Sequence, residues 1–369
     1  MTGSGTVNDP YIIQNVTDLQ AIENNLGSYY ELEGDIDASA TSGWNAGAGF
    51  DPIILFTGQL DGKGYTISDL FINRPTEFNV GLIGYASAPI VLKNIKLTGV
   101  DITGKGTMGA LLGYTESDAT VDIDDCSSIG VVSATNGQVG GLIGYAYNGA
   151  IDNCWSSCTV TNGSGGSQTG GLIGYNISST VTQCYATGAV TSSDSQTGGL
   201  IGKAWDGAIS KCYATGNVSG VGEVGGLIGY NEEAPVDDCY ARGNADATTD
   251  YYAGGLIGRN SAGVIDDCYS TGTASTVDDS LEGGLIGDNY GTVTNCFWDT
   301  ETSGNATSDG GTGKTTAQMK TQSTFTDAGW DFTTIWYISS GVNDGYPAFT
   351  SGALVAGHPN ASIQAFILG

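Results

Sequence analysis

Seven cysteines stand at nearly even intervals along the chain: Cys126, Cys154, Cys184, Cys212, Cys239, Cys268 and Cys296. Thiols so arranged suit a disulfide framework, metal binding, or neither, as small soft residues of a core. The spacing of 27 to 30 residues matches no zinc pattern. Adjacent parallel strands bring the thiols close, but in-register side chains point the same way, so bridges are disfavoured. Buried free thiols are expected. Cys158 stands apart, at a position held by Gly188 and Gly216 in other copies.

Acid pairs precede several of these cysteines, at Asp124–Asp125, Asp237–Asp238 and Asp266–Asp267. Stacked like charges repel, so such pairs either face water or share a cation, and calcium suits carboxylate oxygens. Asp237, Asp238, Asp266 and Asp267 form the candidate calcium set. No EF-hand loop or calcium-roll nonapeptide accompanies them, and no other cofactor is expected. The single histidine, His358, leaves no catalytic triad and no histidine-based metal site.

Aromatic residues also recur in register. Trp155, Tyr185, Tyr213, Tyr240, Tyr269 and Phe297 follow the cysteines, and Tyr85, Tyr114, Tyr145, Tyr175 and Tyr230 follow a Gly-Leu-Ile-Gly phrase. Aromatic faces suit sugar rings, so Trp155, Tyr185, Tyr213, Tyr240 and Tyr269 are the candidate ligand-binding column; the plainer reading is a rigid wall of stacked rings. Asn231, Asn260 and Asn289 repeat at one corner and predict an amide ladder.

The elements that would position these groups follow from the repeat itself. Eight copies of the phrase begin at Val80, Gly109, Gly140, Gly170, Gly198, Gly225, Gly254 and Gly283, in steps of 27 to 31 residues. Between them Val, Ile, Thr and Tyr are broken by Gly, Ser, Asn and Asp, with no 3.6-residue apolar stripe, which predicts short strands. Each unit reads as three strands, GGLIGY, V-x-x-C-Y and A-T-G-x-V. One such unit cannot bury its own aliphatics, but stacked copies make a continuous core. The fold class is therefore all-β: a parallel β-solenoid, or β-helix, of about eight rungs. The glycines belong where a Cβ would obstruct a corner or a neighbouring rung.

The ends break the pattern. NVTDLQAIENNLG predicts a short helix with a Thr17–Gln20 capping box, an apolar face of Leu19, Ile22 and Leu26, and a stop at Gly27. Laid over the first rung, it would hide an adhesive strand edge. The resulting division is 1–79 as an N-terminal cap with leading strands, 80–300 as solenoid, 301–350 as an aromatic-rich closing cap, and 351–369 as an apolar tail. The tail is expected to dock in cis or to mediate self-association.

Composition narrows the partners. With 39 acidic and 11 basic residues the formal net charge is −28. Such a surface repels nucleic acid and anionic membranes. No apolar run approaches a membrane span, and the amino end lacks the pattern of a signal peptide. Six N-x-S/T sequons, at Asn15, Asn162, Asn176, Asn217, Asn305 and Asn360, are glycan acceptors in a host that attaches them.

The GGLIGY phrase with its trailing CYATG resembles the GLUG-repeat proteins, β-solenoid segments of bacterial and archaeal surface proteins, some adhesin-like. The likeness runs from about residue 4 to residue 349, through GQLDGKGYTI and on to CFWDTETSG and GWDF. It implies architecture and surface location, and offers no catalytic residues. The reading is a non-catalytic extracellular surface protein, a rigid spacer with an adhesive contact surface for a glycan or surface protein. The alternative is a structural subunit of a surface fibre, sheath or virion appendage, joined through residues 351–369. A polysaccharide-processing β-helix enzyme would need carboxylates with basic helpers, and the basic residues are few and scattered.

Overall fold

The computed structural model describes residues 1–350 apart from 118, 194, 250 and 278–280. The docking expected of residues 351–369 falls outside these described residues.

One column of inward side chains shows how the chain winds. Tyr30, Leu60, Leu92, Ile123, Ile151, Val181, Ile209, Val236, Ile265 and Val293 pair successively, each in parallel register with the next. The chain thus winds through about nine turns of a parallel β-solenoid. Two sheets of seventeen short strands and one of six line its sides. The leucines of the repeated phrase, Leu82, Leu111, Leu142, Leu172, Leu200, Leu227, Leu256 and Leu285, are all fully buried. Burial of each contributes about 1.5–3 kcal/mol before chain entropy is subtracted.

The strands are shorter and more numerous than the three per unit expected. Gln168–Gly170, Ile173–Thr182, Tyr185–Ala186 and Val190–Ser192 make one turn. Two kinds of corner break them. At Gly170 an added Cβ would lie 2.0 Å from the Ile173 carbonyl oxygen, and at Gly171 2.2 Å from that of Gly199 on the next turn. The second corner is the residue before each column cysteine. Asp125, Asn153, Gln183, Lys211, Asp238, Asp267 and Asn295 all take φ between 46° and 56°. Asp and Asn tolerate this left-handed conformation best, which explains most of that column.

The solenoid begins earlier than residue 80. Tyr11–Ile13 already pairs with Tyr29–Leu32, so residues 11–79 are turns of the rod rather than a separate cap. These turns lack the glycine phrase, which is why the repeat does not mark them. The helix is present but short: Val16–Gln20 continues as a 3-10 turn, Ala21–Asn24. Its cap is Asn15, whose side chain accepts from the Asp18 amide, and not the expected Thr17–Gln20 box. Leu19 and Ile22 are fully buried. Strand Tyr11–Ile13 is itself covered, since the Ile12 amide donates to the Thr2 carbonyl at 2.9 Å.

The closing segment also departs from expectation. Thr312–Lys314 adds a last parallel strand on Phe297–Asp299. Residues 305–314 close the last turn, the Gly284 amide donating to the Thr307 carbonyl at 2.9 Å and the Asn289 amide to the Asp309 carboxylate at 2.7 Å, and the chain then runs back along the flank of the rod. Trp336–Tyr337 and Ala348–Phe349 form a small antiparallel pair there. Phe349 lies 6.4 Å from Tyr213, three turns from the end of the cysteine column. Among the described residues no helix is long and apolar enough to cross a membrane.

Candidate functional site

The thiol column forms as expected. All eight cysteines are free and buried. The amides of Cys154, Cys184, Cys212, Cys239 and Cys268 each donate to the sulfur one turn on, at 3.3–3.4 Å. The thiols donate in turn to carbonyls two residues back, as from Cys212 to Ser210 at 3.1 Å. Burial pushes the Cys154, Cys184, Cys239 and Cys268 thiols well up. Enclosed in the core and hydrogen-bonded along the stack, the column thiols have no path to a substrate, so the column is structural.

The asparagine ladder is present too. Asn231 donates to Asn260 at 3.0 Å and Asn260 to Asn289 at 2.8 Å. Each also closes its own turn, donating to the carbonyls of Ala234, Gly263 and Gly291.

The post-cysteine aromatic column stacks closely. Ring centroids from Trp155 through Tyr185, Tyr213 and Tyr240 to Tyr269 are 4.8–5.5 Å apart, with interplanar angles of 1–8°. It is not an open platform, however. Tyr185, Tyr213, Tyr240 and Tyr269 are at most 4% exposed. Trp336 and Phe349 pack on Tyr240, and Phe325 and Trp330 on Tyr269. The Tyr269 hydroxyl donates to the Pro347 carbonyl at 2.7 Å. The returning segment seals the column, so the sugar-stacking assignment of these five residues is corrected to an internal seam, with Trp155 at its less covered end. The aromatic density of residues 325–349 was the available signal, since rings that cannot fit inside the rod need an outer face to cover.

The acid pairs divide in the same way. Asp238 and Asp267 are left-handed corner residues, whereas Asp237 and Asp266 lie in strands. Asp238 is buried and accepts the Trp336 indole N–H at 2.7 Å. Burial, then the charge of Asp237, raises its carboxyl to about 6. Burial, then the charges of Asp266 and Asp238, raises Asp267 to about 7. Among the described residues no three Asp, Glu, Cys or His side chains converge as a metal site. The calcium set Asp237, Asp238, Asp266 and Asp267 is thus corrected to two corner residues and two strand residues.

Three sequons are also spoken for. Asn162, Asn176 and Asn305 are buried, and their side-chain amides donate to the Gly137, Ser179 and Ala274 carbonyls. In the folded chain they are closed to glycan attachment.

The second tyrosine column remains open. Tyr85, Tyr114, Tyr145 and Tyr175 are half-buried, with centroids 4.9–5.6 Å apart. It continues through Lys203, Tyr230 and Arg259. Lys203 lies over the rings of Tyr175 and Tyr230 and pairs with Glu232 at 2.8 Å. Arg259 contacts Tyr230, Tyr252 and Tyr290 and pairs with Asp288 at 3.1 Å. One outward face therefore carries rings and cations, on a chain whose net charge is −28.

Sequence comparison matches the GLUG motif at residues 135–162, 165–191, 193–219 and 249–275. Halomucin of Haloquadratum walsbyi is 43% identical over 117 residues, 30% of this chain and 1% of halomucin. An Evansella cellulosilytica protein described as a Gly-rich membrane protein is 36% identical over 120 residues, 30% of this chain and 14% of that protein. The chain thus spans only a small part of these relatives. Among solved structures, a candidate immunoglobulin A1 protease from Bacteroides ovatus superposes with a TM-score of 0.55 over 94% of both chains, at 20% identity. A structure named IgA1 protease gives 0.50 over 86% of this chain and 24% of that one, at 16% identity. At such identities the likeness is one of fold. The stacked Gly-Leu-Ile-Gly corners, the cysteine ladder and the motif matches lead to one assignment: this chain is a parallel β-solenoid that contains GLUG motif repeats at residues 135–219 and 249–275.

Proposed function

We propose that this chain is a non-catalytic segment of a cell-envelope or extracellular protein, serving as a rigid spacer that presents a contact surface. The observation that carries this reading is the unbroken register from Tyr30 to Val293. A stack joined turn to turn by parallel hydrogen bonds and one aliphatic column resists bending, and each turn displays its outward residues at a fixed pitch of ~4.8 Å. The returning segment supports it by sealing the aromatic seam that would otherwise be adhesive. The names of the relatives, halomucin and a Gly-rich membrane protein, support placement at the envelope. Fold likeness to proteases supports no activity, because one scaffold hosts unrelated functions.

The test joins shape to chemistry. Small-angle X-ray scattering on the full chain should give a rod, and incubation with immunoglobulin A1 and with neutral and acidic polysaccharides should leave each intact. Release of peptide or saccharide fragments, abolished by substituting a single acidic residue, would contradict the reading.

A further inference from the structure

One groove outside the sealed seam combines a buried acid with an exposed ring. It has a volume of about 370 Å³ and is lined by Ser193, Ser195, Gln196, Gly222, Glu223 and Tyr251, among others. Gln196 and Glu223 are register partners on adjacent turns. Tyr251 belongs to the following turn, in the insertion that precedes Ala253–Gly254. The groove therefore runs along the rod axis over three turns.

Its parts are held in place. Glu223 is 8% exposed, and no other described residue donates a hydrogen bond to its carboxylate. Burial raises its affinity for a proton, while Arg259 and Lys203 oppose this through space. Gln196 accepts from the Gln168 amide at 2.8 Å, which leaves its own NH2 as a donor. The loop carrying Tyr251 is fastened to the turn before it, since Thr248 donates to the Gly220 carbonyl at 3.0 Å and Thr249 to that of Val221. Tyr251 is 52% exposed and stands edge-on to Tyr252, at 6.2 Å and 90°. Tyr252 is in turn held against the Arg259 guanidinium at 5.7 Å.

The chemistry selects a ligand class. A lone carboxylate is too few oxygens for a calcium ion. A polyanion would meet Glu223 on a chain of net charge −28. A pyranose, by contrast, offers a C–H face to an aromatic ring and hydroxyls to a carboxylate, an amide and serines. We propose that this groove binds a neutral saccharide, with Tyr251 against one sugar face and Glu223, Gln196, Ser193 and Ser195 bonding its hydroxyls. This rests on the contact-surface reading above and gives that surface a ligand.

The experiment titrates the full chain with maltohexaose, cellohexaose and chitohexaose by calorimetry and saturation-transfer NMR, with a hyaluronan hexasaccharide as the anionic comparison. Saturable binding of at least one neutral oligomer is expected, weakened about tenfold or more in Y251A and several-fold in E223Q. Tyr251 is exposed, so Y251A should melt like the parent and report binding rather than folding. Three results would overturn the site: no neutral oligomer binding at about 10 mM, Y251A binding as well as the parent, or preference for hyaluronan. A silent groove on an intact rod removes the saccharide site and leaves the spacer reading standing. Hydrolysis of an oligomer would overturn the spacer reading instead.

Discussion

The indole N–H of Trp336 donates to the carboxylate of Asp238 at 2.7 Å, joining the returning segment to a corner of the rod 98 residues away in sequence. Around this bond Arg242 pairs with Asp344 at 2.8 Å, Trp330 donates to the Asn295 carbonyl at 2.9 Å, and Tyr346 to Asp299 at 2.7 Å. The flank of the solenoid is therefore clamped, not simply covered. Replacing Trp336 with alanine should cost about 3–5 kcal/mol and expose the tyrosine seam. Chemical denaturation and binding of a hydrophobic dye would show it. A stable, dye-silent W336A would mean that the clamp is dispensable.

Corner carboxylates set the pH dependence. Asp238 and Asp267, raised to about 6 and about 7, hold their protons more tightly folded than unfolded. Their contribution is fully present below the unfolded value near 4 and is lost as pH rises through the folded values. The melting temperature should accordingly fall between pH 5.5 and 8, and the fall should be smaller in D238N. A melting temperature that rises across this range would contradict the assignment.

Asp267 can be improved. At two other turns the corner residue is an asparagine that donates to an aspartate one turn back, Asn153 to Asp124 at 3.0 Å and Asn295 to Asp266 at 3.1 Å. D267N would supply the same donor toward Asp237 and remove a carboxylate crowded by like charges. At pH 8 it should stabilise the chain by about 1–2 kcal/mol, measured by urea denaturation. Destabilisation would show that the corner pattern does not transfer between turns.

Glycines differ sharply in their tolerance. G170A forces a Cβ to 2.0 Å from backbone oxygen, whereas nothing lies within 4 Å of the Cβ position at Gly34. The first substitution should cost about 3 kcal/mol or more and the second less than about 0.5. Equal effects in paired melting curves would refute the close approach of turns at the repeated phrase.

The thiols offer an independent check. The folded chain should give no reaction with a thiol reagent such as Ellman's, and eight equivalents should appear once it is unfolded without reductant. Fewer than eight would reveal disulfides in the column.

Much of this was legible in the residues. Two or three glycines and two aliphatics per copy stand where backbones touch, so the period and the parallel stack could be read directly. The asparagine ladder and the buried thiols followed from register alone. The left-handed corner was also written in the sequence, as Asp or Asn before five of the seven column cysteines, and was read instead as acid pairs for a cation. The first turns escaped because Tyr30 and Leu60 stack without the glycine phrase. The clamp escaped for a different reason. Which outer face Trp336 and Phe349 would cover depends on which column of rings points outward, and periodicity cannot supply that.

Amide hydrogen exchange on the full chain tests the central claim most directly. A clamped solenoid predicts one slowly exchanging ladder from Tyr11 to Thr294, with the Trp336–Tyr337 and Ala348–Phe349 pair protected alongside it. Fast exchange in that pair, over a protected ladder, would mean that the tyrosine seam is open and the account of this face is wrong.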